Sequence, residues 1–231
     1  MSFPYKHVLL VGATGGIGRA MADHFISEGI KVTAVGRRQE LRNHPTIDCV
    51  MLNAATQSRP NFRNPETVDL AAFYREITTN FTSQVSLVHA ILPHLLSRSS
   101  PTNLIFTGSP ISLVPAFNMP AYAASKAALD AFIMCLREQL RDTNVQIQHI
   151  SPGPVRTELH DAAMGKTKSQ AFGMPMEEFV KDAWAGLVDV KHEIFPGTVG
   201  GSTKEQFLEI VRVREEAVDR LSGLLRKIMV K

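Results

Sequence analysis

Ser109, Tyr122 and Lys126 are the side chains of this 231-residue chain best suited to move a proton. Tyr122 and Lys126 lie four residues apart in AYAASKAALDAF, whose alanines and leucine read as helix, so one turn brings phenol and ammonium to the same face. A phenol titrates near ~10, and a neighbouring cation favours the phenolate and draws that value toward neutrality, as a general acid or base requires. Ser109 closes the apolar run NLIFTGS, which reads as a buried strand, and its hydroxyl at the strand's carboxyl end is placed to bind a carbonyl oxygen. Each feature alone has a plainer use. A Tyr–Lys pair one turn apart is common on solvated helix faces, and a serine before Pro110 is a common turn residue. Their weight comes from the segments around them.

The chain opens with HVLLV at 7–11, a short β-branched apolar run, followed at once by GATGGIGRAMADHFISEG. The order is strand, glycine turn, helix. Gly12 permits the tight turn, Gly16 admits a pyrophosphate to the backbone and Gly18 lets the helix pack on the strand, with free helix N–H groups facing the phosphates. Further strands are expected at 31–35, 48–53, 103–107, 145–150 and 193–195, and helices at 17–28, 68–97, 121–141, 176–189 and 204–228. That alternation specifies an α/β fold, a Rossmann-like doubly wound parallel sheet in three layers. Residues 155–174 lack periodicity and follow the last central strand, which suits a substrate lid.

Length and a hydrophobic content of 44% suit one domain over 1–231. A net charge of +3 without a basic block gives no reason to expect nucleic acid or an anionic membrane as partner. Cys49 and Cys135 fall in apolar segments and are expected to be buried free thiols, and the first residues lack a signal-peptide pattern, so the expected compartment is the cytoplasm. No metal site is expected.

In sequence order these motifs resemble the short-chain dehydrogenase/reductase family over nearly the whole chain. Its glycine turn is matched by Gly12-Ala13-Thr14-Gly15-Gly16-Ile17-Gly18, its Asn-Asn-Ala-Gly segment by Leu52-Asn53-Ala54-Ala55, and its helix asparagine by Asn80. Its catalytic serine, tyrosine and lysine fall on Ser109, Tyr122 and Lys126, and its Pro-Gly turn on Pro152, Gly153, Pro154, Val155, Arg156 and Thr157. The resemblance implies hydride transfer between a nicotinamide and a carbonyl or alcohol. Ser109 would hold the substrate oxygen, Tyr122 would handle its proton, Lys126 would lower the tyrosine pKa and bind the ribose, and Asn80 would order a relay water. Thr14, Ile17, Asn53, Ala54, Pro152, Gly153, Val155 and Thr157 would border the cofactor.

After the second strand Gly36 replaces the acidic residue that selects NAD, and Arg37 and Arg38 follow, so NADP is expected as cofactor through guanidinium contact with a 2′-phosphate. Between Arg38 and Asp48 only nine residues remain where the family has a further edge strand and flanking helices, which implies a sheet short of one strand and weak cofactor binding. Two alternatives stay open: non-redox proton transfer by Tyr122, Lys126 and Ser109, and a non-catalytic binding role using the C-terminal helix. Phe117, Met119, Met164, Phe172, Met174 and Met176 suggest an apolar substrate, and the family's habit of pairing through the helices of Asn80 and Tyr122 implies a homodimer or homotetramer.

Overall fold

Parallel strands covered on both faces must be apolar at nearly every position, and HVLLV, CVML and TNLIFT come close to that demand. The computed structural model describes residues 2–35, 45–160, 165, 172–198 and 200–229. Its six strands are β1 (His7–Val11), β2 (Lys31–Val35), β3 (Cys49–Leu52), β4 (Thr102–Thr107), β5 (Val145–Ile150) and β6 (Glu193–Ile194). All pair in parallel in the order β2-β1-β3-β4-β5-β6. The helices are α1 (Gly16–Ser27), α2 (Leu70–Ile77), α3 (Ser83–Leu96), α4 (Pro120–Gln139), α5 (Met176–Val188) and α6 (Lys204–Met229).

Side chains alternate between the two faces. Val8, Leu10, Cys49, Met51, Ile105 and Ile150 point to the layer holding Met21 and Phe25 of α1 and Phe179 and Leu187 of α5. Leu9, Val50, Leu52, Leu104 and Phe106 point to the opposite layer, with Ile91 and Leu95 of α3 and Leu129 and Ile133 of α4. The fold is therefore the expected doubly wound α/β sandwich. Strand order reverses between β1 and β3, and at such a switch point the crossing helices diverge and leave a crevice above the carboxyl ends. The register aligns Val11 with Leu52 and Leu52 with Phe106, so Gly12, Asn53 and Ser109 all emerge at that edge.

One departure concerns the helix expected over 68–97. Asp69 caps α2, its side chain accepting from the Ala72 N–H at 2.9 Å, but a π turn at Thr78–Thr82 separates α2 from α3. The Ser83 N–H there bonds to the Thr78 carbonyl, five residues back. The run TTNFTS explains the break: the Thr82 and Ser83 hydroxyls bond back to the carbonyls of Thr78 and Thr79, competing with the regular ladder. Among the described residues β2 is the outer strand of the sheet; the shortened segment falls largely on 36–44, outside the described residues, as do Arg37 and Arg38. Both cysteines are free, but only Cys49 is buried. Cys135 is exposed on α4, because the helix turns that position away from the sheet.

Phe106 is fully buried against α3 and α4. Phe106→Ala is expected to lower stability by about 3–5 kcal/mol, seen as a fall in the urea midpoint with little change in the slope.

Candidate active site

The glycine turn is held by close packing. Gly12 has φ +86, and a Cβ there would lie 2.7 Å from the Ala54 nitrogen; a Cβ on Gly18 would lie 2.0 Å from the Gly12 carbonyl oxygen. Asn53 Nδ2 donates to that same carbonyl at 3.1 Å, tying the end of β3 to the turn. The Asn53 side chain thus supports the turn, and Ala54 forms its floor. Gly15 caps α1 with extended backbone and no side-chain hydrogen bond, so the first N–H groups of the helix receive no side-chain cap. Thr14 is exposed, while Ile17 packs half-buried on the core. This donor set, with no Cβ at Gly15 or Gly16 to shield it, fits a dinucleotide pyrophosphate.

The other wall comes from the segment after β5. Ser151 and Gly153 donate their N–H groups to the carbonyls of Ile194 and Pro196 at 2.8 Å each, and a Cβ on Gly153 would meet the Thr198 carbonyl oxygen at 2.4 Å. Pro152 and Gly153 are fixed in this way. Val155 is 3% exposed; its side chain belongs to the core, and it forms a bridge with Met174, so only its main chain is free to line the cleft. That bridge joins the two ends of the expected lid, whose residues 161–164 and 166–171, Met164 included, lie outside the described ones. Thr157 side-chain atoms lie 3.4 Å, and Glu158 Oε2 lies 3.6 Å, from Cβ positions built on Gly16 and Gly15. An acidic side chain therefore stands beside the anion-binding turn. Nothing in the spacing signals this, because Glu158 is distant from the turn along the chain.

Asn80, Ser109, Tyr122 and Lys126 are brought together and are 0%, 7%, 7% and 1% exposed. Ser109 caps a short 3-10 turn at Pro110–Ser112, its hydroxyl accepting from the Ile111 N–H at 3.4 Å. Lys126 Nζ donates to the Thr107 carbonyl at 2.7 Å and lies 5.6 Å from the centre of the Tyr122 ring. The pair's electrostatics differ from expectation. Burial raises the Tyr122 pKa to about 12; the hydrogen bond with Ser109 works against that rise, and Glu76 adds to it. Burial also lowers Lys126 to about 8. Desolvation penalises the charged form of both groups, and the ammonium is turned to the Thr107 carbonyl.

Residues that support this set are not signalled by the sequence. The Asn80 side chain accepts from the Thr56 N–H at 2.8 Å and donates to the Thr56 carbonyl at 2.9 Å and to Ser125 Oγ at 3.1 Å, while Ser125 donates to the Tyr122 carbonyl at 2.8 Å. Asn80 thus clamps the segment after β3 against α4 with its amide. Any water it orders must be reached by another of its atoms. Glu76, one turn earlier, is 2% exposed; it accepts from the Ser58 hydroxyl, its Oε1 has no hydrogen-bond partner among the described residues, and burial raises its pKa. Glutamate in an amphipathic helix normally signals the solvent face, which hid it.

The apolar residues suggested for substrate are not gathered. Phe117 is 97% exposed, facing an open depression with Ala123, Ala124 and Ala127, whereas Met174 and Met176 pack against the core. Beyond the site, Asp130, His149 and Glu193 place ligand-type atoms within 4.8 Å of one another. However, Asp130 is paired with Arg214, and Glu193 with Arg137 at 2.5 Å and with His149 at 3.0 Å. The carboxylates already meet guanidinium groups, so the cluster is a buried charge network.

Comparison with known proteins agrees with this geometry. The family model described as short chain dehydrogenase matches residues 6–44 and 39–167. An uncharacterized oxidoreductase of Bacillus subtilis, DltE, is 28% identical over 233 residues, covering 87% of this chain and 92% of that protein. Among solved structures, a Sphingobium yanoikuyae short-chain dehydrogenase in complex with NADPH superposes with TM-score 0.75 at 21% identity, covering 93% of this chain and 95% of the other. A Burkholderia phymatum short chain dehydrogenase/reductase in complex with NAD gives TM-score 0.74 at 16% identity, covering 96% of each chain. With the glycine turn, the switch-point crevice and the buried Ser109–Tyr122–Lys126 set in place, the chain belongs to the short-chain dehydrogenase family of oxidoreductases.

Proposed function

We propose that the protein is an NADP-dependent oxidoreductase that transfers a hydride between nicotinamide and the carbonyl or alcohol of a small, apolar substrate. The observation that carries this reading is the burial of Asn80, Ser109, Tyr122 and Lys126 as one connected set at the strand edge that also bears the glycine turn. The bound nicotinamide supplies the hydride. The chain's own groups do the rest. The N–H groups at the start of α1, with Gly12, Thr14, Gly16, Ile17 and Gly18, hold the pyrophosphate, and Asn53, Ala54, Pro152, Gly153, Val155 and Thr157 border the remainder of the cofactor. Ser109 holds the substrate oxygen, and Tyr122 gives it a proton during reduction. The phenolate left behind is stabilised by Ser109 and the Lys126 ammonium, which also binds the ribose.

Structural relatives hold NADPH or NAD, so the preference for NADP rests on Arg37 and Arg38 and on the lack of an acidic residue at Gly36. A cytoplasmic homodimer or homotetramer using α3 and α4 completes the reading, and no helix among the described residues is long and apolar enough to cross a membrane. Glu158 favours a second reading, non-redox proton transfer by the same Tyr122 and Lys126, because its carboxylate opposes the phosphate charge at the turn.

Calorimetric titration with NADPH and NADH in parallel decides between the two readings: micromolar NADPH binding, tighter than NADH, is expected, and no binding at millimolar nucleotide removes the redox reading. Tyr122→Phe is expected to leave NADPH affinity unchanged and to lower turnover of any accepted carbonyl by about 10²–10⁴-fold, followed by NADPH absorbance. Glu158→Gln should tighten NADPH binding by roughly 2- to 5-fold, since a carboxylate that competes with the phosphates for the positive end of α1 is worth about 0.3–1 kcal/mol. The Tyr122–Lys126 pair loses its first proton near the lysine value of about 8, so the rate of carbonyl reduction measured against pH is expected to be constant below that value and to decline above it.

A further inference from the structure

The long helix α6 carries more apolar surface than the body of the protein covers. Phe207 and Val211 are 3% and 9% exposed and pack with Leu113, Val114 and Phe195, and Arg214 and Arg226 reach Asp130 and Glu138 of α4. That face attaches the helix. A second stripe beside it is bare: Ile210 is 45% exposed, Val213 49%, Leu221 57%, Leu225 45% and Ile228 58%, with Ala217 exposed between them and Leu224, 54% exposed, alongside. A stripe spaced like this runs straight along a helix, and a surface helix needs only one such face to pack on its own core. The seam from Ile210 to Ile228 is about 27 Å long, a continuous apolar surface of the kind that marks an interaction site.

The pattern identifies the occupant. The steps between these six positions are 3, 4, 4, 4 and 3 residues, the same from either end. A two-fold axis crossing the helix at position 219 therefore brings Ile210 opposite Ile228, Val213 opposite Leu225 and Ala217 opposite Leu221 of an antiparallel copy. Charge follows the same symmetry: residues 209–218 carry a net charge of −1 and the residues that face them, 220–229, a net charge of +3, so antiparallel pairing sets opposite net charges against each other and parallel pairing sets like charges together. The acidic first half is also unsuited to an anionic membrane surface, where a lying helix is basic along its polar face. We infer that the exposed stripe of α6 binds the same stripe of a second copy of this chain, antiparallel, in an isologous contact separate from α3 and α4.

The test is the mass in solution by sedimentation velocity, compared between the unmodified chain and Leu221→Glu/Leu225→Glu. The expected result is a halving of the assembled mass with helix content by circular dichroism unchanged. An unmodified chain that is monomeric at micromolar concentration, or an assembly whose mass the substitutions do not change, overturns the proposal; binding of a monomeric chain to anionic phosphatidylserine vesicles assigns the stripe to a membrane. Should the glutamate variant fail to fold, oxidation in a Cys135→Ser background reads the geometry directly. Ile210→Cys/Ile228→Cys is expected to cross-link two chains, and Ile228→Cys alone is not. Cross-linking by the single variant, or its absence in the double, also overturns the antiparallel contact.

Discussion

The bond from the Lys126 ammonium to the Thr107 carbonyl is the constraint on which the site depends. It joins α4 to the last residue of β4, so it sets the height of Tyr122 above the strand edge and its distance from Ser109, two residues beyond Thr107. A cation almost wholly removed from water with, among the described residues, only a neutral carbonyl as hydrogen-bond partner is costly, and the lowering of its pKa to about 8 reflects that cost. The surrounding core tolerates it because α4 is anchored by Leu129, Ile133 and Leu136 on the same layer. The charge is kept where water is scarce, and there its effect on a developing phenolate is strongest.

A second linkage runs from the glycine turn to the catalytic helix through the segment after β3. Asn53 holds the Gly12 carbonyl, Asn80 holds both backbone groups of Thr56, and Ser125 passes the connection to the Tyr122 carbonyl. The π turn at Thr78–Thr82 is what allows a buried asparagine to face this segment from the middle of a long helical stretch. The phosphate-binding turn and the proton-handling group are thus positioned by one chain of hydrogen bonds. Glu76 lies just outside it, and its carboxyl adds to the rise in the Tyr122 pKa that burial causes.

What the sequence could convey followed from periodicity and spacing. Strands such as HVLLV and CVML are apolar on both sides and bounded by turns, so sheet, order of elements and glycine turn were legible, and the Tyr122–Lys126 spacing announced a shared face. What it could not convey depended on contacts between distant segments. The hydroxyl-rich run TTNFTS looks like ordinary helix until its side chains bond back to carbonyls; Glu76 and Ser125 look like surface polar residues until α2 packs on α4; and Glu158 meets the glycine turn only because β5 lies beside β4 in the finished sheet. The desolvation of Tyr122 and Lys126 is hidden for a related reason, since proximity can be read from spacing and burial cannot.

Gly108 stands between two systems that otherwise look independent. A Cβ on it would lie 1.9 Å from His149 Nε2 and 2.8 Å from Ser151 Oγ. On one side of this backbone is Ser109; on the other is the network of Asp130, His149, Glu193, Arg137 and Arg214 that ties β5, β6 and α4 to the outer helix. With no side chain to absorb a displacement, a shift of His149 bears directly on the main chain that presents the serine. The two parts are then mechanically coupled: a change in the outer helix's salt links is felt at the catalytic strand, and a search for altered substrates would do well to vary them together.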